Sequence, residues 1–354
     1  MNSEEPDPAM IRAALAAYPG LEGAEIRPLS GGLINLTFAV EVGGESLILQ
    51  RVSPIFSPAI HDNIIAVSER LRDRGEPSPT LVLSAEGQPW VDLGEGGVWR
   101  LMDRLDGQTF DSLDGERGPA RARSAGARIA RFHGALHDLG HTFVGLRSGI
   151  HDTPAHLAKL RAALKLGAET GHRLHDAVTD LGGRILAAAE SLPEPGDGRS
   201  WVVHGDLKIS NILFDGDEAS ALIDLDTVGR MPLWMELGDA WRSWCNPGGE
   251  DHSRAHFDLD IFAASVEGYL GDLRTPLLAD ERRSLVYAVE RIALELSARF
   301  AADAICEDYF GWDRSRFTAA GEHNLLRARG QWSLFEAALT TREARAELLL
   351  GGSS

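Results

Sequence analysis

The stretch WVVHGDLKISNILF, residues 201–214, decides how the rest of the chain is read. An apolar run, Trp201–Val203, opens into His204-Gly205-Asp206, and the chain turns apolar again after Asn211. A carboxylate, an ammonium group and an amide therefore stand at the spacing D-x-K-x-x-N, in a polar loop held at the edge of a core. A second apolar run, Ala221–Leu225, carries Asp224 and leads to Asp226 in ALIDLDT.

Those residue types suggest a chemistry. Hard divalent cations such as Mg²⁺ take oxygen ligands and bind through one or two protein groups plus substrate phosphates. Asn211 and Asp224 offer such oxygens. Asp206 is suited to accept a proton from an attacking hydroxyl, and Lys208 to neutralise charge on a phosphoryl group in transit. His204 reads as a hydrogen-bonded core residue. Asp226 reads either as a further metal ligand or as a brace for its loop.

Working outward, 354 residues suggest about two domains or lobes. Hydrophobic residues make up 44% and charged residues 25%, an ordinary globular composition with ample material for a core. The net charge of −18 argues against nucleic-acid and anionic-membrane partners, but not against an anionic ligand bridged by a metal. Cys245 and Cys306 read as two buried thiols in a reducing compartment. The acidic start MNSEEPDPAM lacks the apolar segment of a signal peptide, and no apolar run is long enough for a membrane helix, so a cytoplasmic location is expected.

The texture changes along the chain. After a short helix at 9–18, alternating residues predict an antiparallel hairpin, Asn35–Val42 with Ser46–Val52. A helix follows at 58–74, then strands at Thr80–Ser84, around Pro89–Leu93 and at Val98–Leu105. Beyond Leu105-Asp106-Gly107 the pattern is helical: 119–139, 153–166, 173–191, 256–270, 277–304 and 320–348, interrupted by the two apolar runs around the quoted loop. Segregated strands and helices predict an α+β fold of two lobes. Residues 1–105 form a small β-rich N-lobe and residues 106–354 a large helical C-lobe, with a ligand expected in the cleft between them.

The loop H-G-D-L-K-I-S-N followed by D-L-D resembles the catalytic loop and metal motif of kinases. It is most similar to the aminoglycoside phosphotransferase and choline kinase group, the small-molecule relatives of protein kinases. That resemblance implies a protein-kinase-like fold, ATP and Mg²⁺ as cofactors and a small-molecule acceptor. It implies Asp206 and Lys208 as catalytic residues and Asn211 and Asp224 as metal ligands.

The remaining parts can be sought in the N-lobe. Ser30-Gly31-Gly32 form a turn whose amides could cradle phosphate. Gln50, in LILQRV, takes the position of the strand lysine of protein kinases; Arg51 would point to the opposite face, and Glu69 is a weak candidate for an ion-pair partner. Met102 to Arg104, in WRLMDRLDG, would meet adenine. There is no Walker A motif. The short path from Asp226 to Gly238-Asp239 leaves no long activation loop, which favours a small acceptor over a protein.

Within the group, LILQRVSPIFSPAIHDNIIAV, LGDAWRSWCN and ERIALELSARFAADAICEDYFGWD resemble bacterial N-acetylhexosamine 1-kinases, whose loop usually reads H-N-D where Gly205 stands here. The resemblance implies an amino sugar or related hexose as acceptor, with Arg242 and Arg299 as contacts. Alternatives for these arginines are pairing with Asp239 and Glu295. Trp234, Trp241 and Trp244 are either a sugar platform or core. Kinases of homoserine, choline or aminoglycosides, and a nucleotide-binding regulator without catalysis, are the competing readings. Oligomeric state is not legible.

Overall fold

The computed structural model describes residues 7–29, 34–147, 149–196 and 198–351. Ser30, Gly31 and Gly32, the expected phosphate turn, lie outside the described residues.

The first helix, α1 (Pro8–Ala16), starts at Asp7, whose carboxylate accepts from the Ala9 amide. Then come β1 (Glu25–Pro28), β2 (Leu36–Val42), β3 (Glu45–Arg51), α2 (Ile60–Asp73), β4 (Leu81–Val82), β5 (Val91–Asp92) and β6 (Val98–Asp103). The strands form one antiparallel sheet in the order β1-β2-β3-β6-β4, with β5 on β6. The expected hairpin is β2–β3, turning at Gly43-Gly44.

Strand alternation gives the sheet two unlike faces. Phe38, Leu49 and Leu101 lie in one cross-strand row and pack with Val40, Trp99 and the Ala14, Leu15 and Tyr18 side of the N-terminal helix. The opposite face carries the rows Thr37–Gln50–Arg100 and Ala39–Ile48–Met102. Helix α2 belongs to the larger core, through Ile60, Ile64, Val67 and Leu71. Arg70 and Arg74 tie it to Asp138.

The rest is helical around two small two-stranded sheets: α3 (Gly118–Leu136), α4 (Thr153–Thr170), α5 (His175–Ser191), β7 (Ser200–Val203), β8 (Ile212–Asp215), β9 (Glu218–Leu222), β10 (Gly229–Pro232), α6 (Leu233–Trp244), α7 (Leu259–Asp272), α8 (Ala279–Val286), α9 (Ala288–Cys306), α10 (Ala320–Thr340) and α11 (Arg342–Leu350). β8 pairs with β9 and β10 with β7.

Three expectations need correction. The single helix expected at 277–304 is α8 and α9, broken at Tyr287, and that at 320–348 is α10 and α11, broken at Thr341. The second break turns α11 so that Arg342 and Arg345 both reach the buried Glu290, a tertiary demand without a local breaker residue. Cys245 is buried as expected, but Cys306 is exposed, because it ends α9 where Glu307 turns left-handed at φ 54°.

Candidate active site

The loop of the opening stretch is held from below by buried acceptors. Glu236, on α6, accepts from the amides of both His204 and Gly205 at 2.9 Å. His204 is fully buried. Its Nε2 lies 2.8 Å from the Ile223 carbonyl, so that nitrogen carries the proton, and its Nδ1 accepts from the Asp206 amide at 3.3 Å. The expected structural role of His204 is what the geometry shows. Trp244 Nε1 donates to the Leu207 carbonyl at 2.7 Å, and Thr227 Oγ1 donates to the His204 carbonyl at 2.8 Å. The Asp206 and Asp224 segments are thereby fastened to one another.

Gly205 sits at φ 85°, and a Cβ there would stand 2.5 Å from the Thr227 carbonyl oxygen. The positive φ and that close approach both suit a residue without a Cβ.

Lys208 Nζ and Asn211 Nδ2 both donate to one oxygen of Asp206, Oδ2, at 2.7 and 3.1 Å. Among the described residues nothing donates to Asp206 Oδ1. Because Asn211 spends its amide nitrogen on Asp206, also meeting the backbone carbonyl at 2.8 Å, its Oδ1 is free to act as a ligand. Asp224 adopts the left-handed conformation, φ 65° and ψ 62°, and its carboxylate meets no protein donor among the described residues. Burial first, and then the neighbouring Asp226, raise the Asp224 carboxyl above its ordinary range.

A half-buried carboxylate with no hydrogen-bond donor of its own among the described residues, one residue beyond the Ile223 amide that donates to the Asn211 carbonyl at 3.0 Å, together with the free amide oxygen of Asn211, fits a hard divalent cation carrying phosphate ligands. Among the described residues no three His, Cys, Asp or Glu side chains form a metal cluster of their own.

Asp226 braces. Its Oδ1 meets Arg100 Nη1 at 2.5 Å and its Oδ2 accepts from Asn35 Nδ2 at 2.7 Å. Burial works to raise its carboxyl, but the charge and hydrogen bond of Arg100, with Asn35, outweigh it and hold the group low. Gln50 is engaged by the same cation: Oε1 accepts from Arg100 Nε and Nη2 at 2.9 and 2.7 Å, while Nε2 donates to Thr37 Oγ1 at 3.1 Å. Glu69 is exposed and makes no ion pair among the described residues. Arg51 lies on the opposite face, against Gly97, as alternation requires.

Of the expected base-binding stretch, Met102 shares the face of Gln50 and Arg100. Arg104 instead turns its guanidinium toward Glu41 and Ser46 at 3.3 and 3.4 Å. The amides of Asp103 and Arg104 are taken by Thr80 and Ser46 carbonyls.

On the C-lobe side Arg242 is buried and held by Asp239 and Glu250 at 2.8 and 2.6 Å. Trp241 and Trp244 are core residues, 2% and 3% exposed, so the platform reading is dropped for them, while Trp234, 7% exposed, has an edge on a cavity that His151 also lines. Arg299 does not pair with Glu295, which accepts instead from Thr153 Oγ1 and lies 3.1 Å from His151 Nδ1. The Arg299 guanidinium lies over Tyr309 and Phe310, 5.9 and 5.6 Å from their ring centres. A cavity of about 570 Å³ opens nearby, lined by His151, Arg147, Arg230, Met231, Trp234 and Arg291 among others.

Two residues that order this site escaped the sequence reading. Glu236 lies on α6, a helix absent from the expected elements, whose available signal is the stripe Leu233, Leu237, Ala240, Trp241 and Trp244. Arg100 interrupts the apolar strand VWRLM, the one available signal.

An antiparallel sheet over a helical body, with a D-x-K-x-x-N loop tied to a D-x-D turn beneath it, is the plan of the kinase-like phosphotransferases. The pattern of the phosphotransferase enzyme family (APH) matches residues 25–271, and the chain belongs to that family. It is a small-molecule kinase. A homoserine kinase of Methylobacillus glycogenes is 25% identical over 253 residues, spanning 71% of this chain and 74% of the relative. A homoserine kinase of Methylocella silvestris is 32% identical over 179 residues, 50% of this chain and 49% of the relative. The fold is shared with a microcompartment-associated aminopropanol kinase (TM-score 0.62, 19% identity, 96% and 100% of the two chains). It is also shared with an aminoglycoside phosphotransferase from Alicyclobacillus acidocaldarius (TM-score 0.63, 16% identity, 97% and 99%). No described helix is long and apolar enough to cross a membrane.

Proposed function

We propose that the protein transfers the γ-phosphoryl group of ATP, as its Mg²⁺ complex, to a hydroxyl of a small metabolite, most simply an amino sugar or related hexose. The observation that carries this reading is the asymmetry of Asp206: Lys208 and Asn211 hold Oδ2, and Oδ1 is left free at the mouth of the loop. In this reading Oδ1 accepts the hydroxyl proton while the acceptor oxygen bonds to the γ-phosphorus, and the bond from that phosphorus to the bridging oxygen breaks to release ADP. Lys208 orients Asp206 and faces the charge of the group in transit. Mg²⁺, held by Asn211 and Asp224, would supply charge neutralisation on the phosphates. The N-lobe, residues 1–105, would cover the nucleotide, with Ser30-Gly31-Gly32 near the phosphates and Met102 toward the base. The C-lobe, residues 106–354, would hold the acceptor.

A second reading, homoserine as acceptor, is favoured by the homoserine kinase relatives. It would use Arg299, which has no carboxylate partner within salt-bridge distance among the described residues, to meet the amino-acid carboxylate. ADP release across a panel of amino sugars, hexoses, homoserine, choline and aminoglycosides, with Asp206→Asn as the blank, tests both. Turnover confined to homoserine would sink the amino-sugar reading, and turnover equal to the blank on every acceptor would sink both.

A further inference from the structure

The strand position that carries a lysine in protein kinases is Gln50 here, and a cation reaches the same face of the sheet from the adjacent strand. Thr37, Gln50 and Arg100 form one row across β2, β3 and β6, on the face turned away from α1. Hydrogen bonds run along the row from Arg100 to Gln50 and from Gln50 to Thr37. At its end the guanidinium leaves the sheet and meets Asp226, in the turn that carries Asp224. The other oxygen of Asp226 takes Asn35 Nδ2, and Asn35 Oδ1 accepts from the Ser53 amide at 2.8 Å. Both oxygens of Asp226 are thus engaged by donors from the sheet lobe.

This cluster is almost dry: Arg100 is 1%, Asp226 4% and Asn35 6% exposed. A buried ion pair is a poor stability device, because desolvation consumes most of its Coulomb gain and an apolar pair of similar size serves as well. What it does provide is registry, since only one placement of the turn satisfies a planar guanidinium on Gln50 and Asp226 together with an amide on the second oxygen.

We propose that Arg100 and Asp226 are positioning residues: an interlobe ion pair, aimed by Gln50, that fixes the turn bearing Asp224 against the sheet so that Asp224 can take the metal–nucleotide. Gln50 then serves Arg100 rather than the nucleotide, which explains a neutral residue where a lysine is expected. The proposal rests on the reading of Asp224 as a metal ligand.

The test is calorimetric titration of the full chain with a non-hydrolysable ATP analogue, once in excess Mg²⁺ and once in EDTA; the readout is the ratio of the two affinities. Arg100→Met alone leaves a buried carboxylate uncompensated and is at risk of unfolding, so the decisive variant is Arg100→Met with Asp226→Asn, which removes both charges. That variant is expected to keep its fold and its metal-free affinity. Its Mg²⁺ ratio should fall about ten- to hundredfold, as when the outer partners of a metal site are lost. Arg100→Lys, which keeps the charge but not the fork, should recover part of the ratio. A folded double variant with the wild-type ratio, an equal loss of affinity with and without Mg²⁺, or a double variant that unfolds would each overturn the proposal. A wild-type protein whose nucleotide affinity ignores Mg²⁺ would overturn the metal reading itself, which separates the two failures.

Discussion

Glu236 reaches up from α6 to the loop that carries Asp206 and takes the amides of two consecutive residues, His204 and Gly205, one on each carboxylate oxygen. The side chain is 3% exposed, so these bonds have no water to replace them. Glu236→Ala leaves two buried amides unsatisfied at about 1–3 kcal/mol each. We expect a stability loss of about 2–5 kcal/mol in chemical denaturation, with kcat falling more than the nucleotide KM rises. Glu236→Gln, which keeps one acceptor oxygen, should lose less of both; equal losses in the two variants would contradict the pairing.

Asp206→Asn keeps the size of the side chain and removes its basicity. Turnover should fall by about two to four orders of magnitude, while nucleotide affinity measured by titration stays within a few-fold. Loss of nucleotide binding in that variant would count against the separation of base from metal ligands.

Gly205→Ala places a methyl group where the Thr227 carbonyl approaches to 2.5 Å, on a backbone with φ 85°. The left-handed conformation alone costs about 1–2 kcal/mol for a residue with a Cβ, and the turn after Asp224 must shift as well. Reduced thermal stability together with weaker Mg²⁺-dependent nucleotide binding is the expected outcome. An unaltered melting temperature would show that the two loops are not packed as described.

His61 gives a pH signature. Its Nδ1 lies 2.7 Å from the Pro58 carbonyl and its Nε2 is buried without a partner among the described residues. Burial, and then the nearby Arg100, push its pKa down to about 4. The unfolded chain takes up this proton near the ordinary histidine value of about 6.5, so between those values the unfolded state binds more protons than the folded one. Stability is therefore full above that window and falls as the pH drops through it, by about 3 kcal/mol from this residue. Wild type should lose stability between pH 6.5 and 4 more steeply than His61→Phe, which keeps the stack on Trp90. Parallel profiles would refute the assignment.

Arg299→Met tests the acceptor side. The guanidinium lies against Tyr309 and Phe310 with no carboxylate bridge among the described residues. If it meets an acceptor carboxylate, the acceptor KM should rise about tenfold or more with the nucleotide KM unmoved. A change in nucleotide KM instead would move Arg299 to the phosphate side.

Much of this protein is legible along the chain. The β2–β3 hairpin, the long helix α3 and the D-x-K-x-x-N and D-x-D spacings are local patterns, because alternation and helical stripes record which face of each element is buried. What escaped was relational. Arg100 looks like a stray charge in an apolar strand until β3 is laid beside it and Gln50 supplies its acceptor. The break at Thr341 carries no glycine or proline, since the buried Glu290 on another helix demands it.

Along the chain, the types, order and spacing of Asp206, Lys208, Asn211 and Asp224 were enough to point to phosphoryl transfer, and the family match agrees with that reaction class. How those groups are aimed is set through space. Glu236, Arg100 and Asn35 each come from a distant part of the chain, and a buried charge or amide finds its partner through space, where desolvation makes an unpaired group too costly to leave.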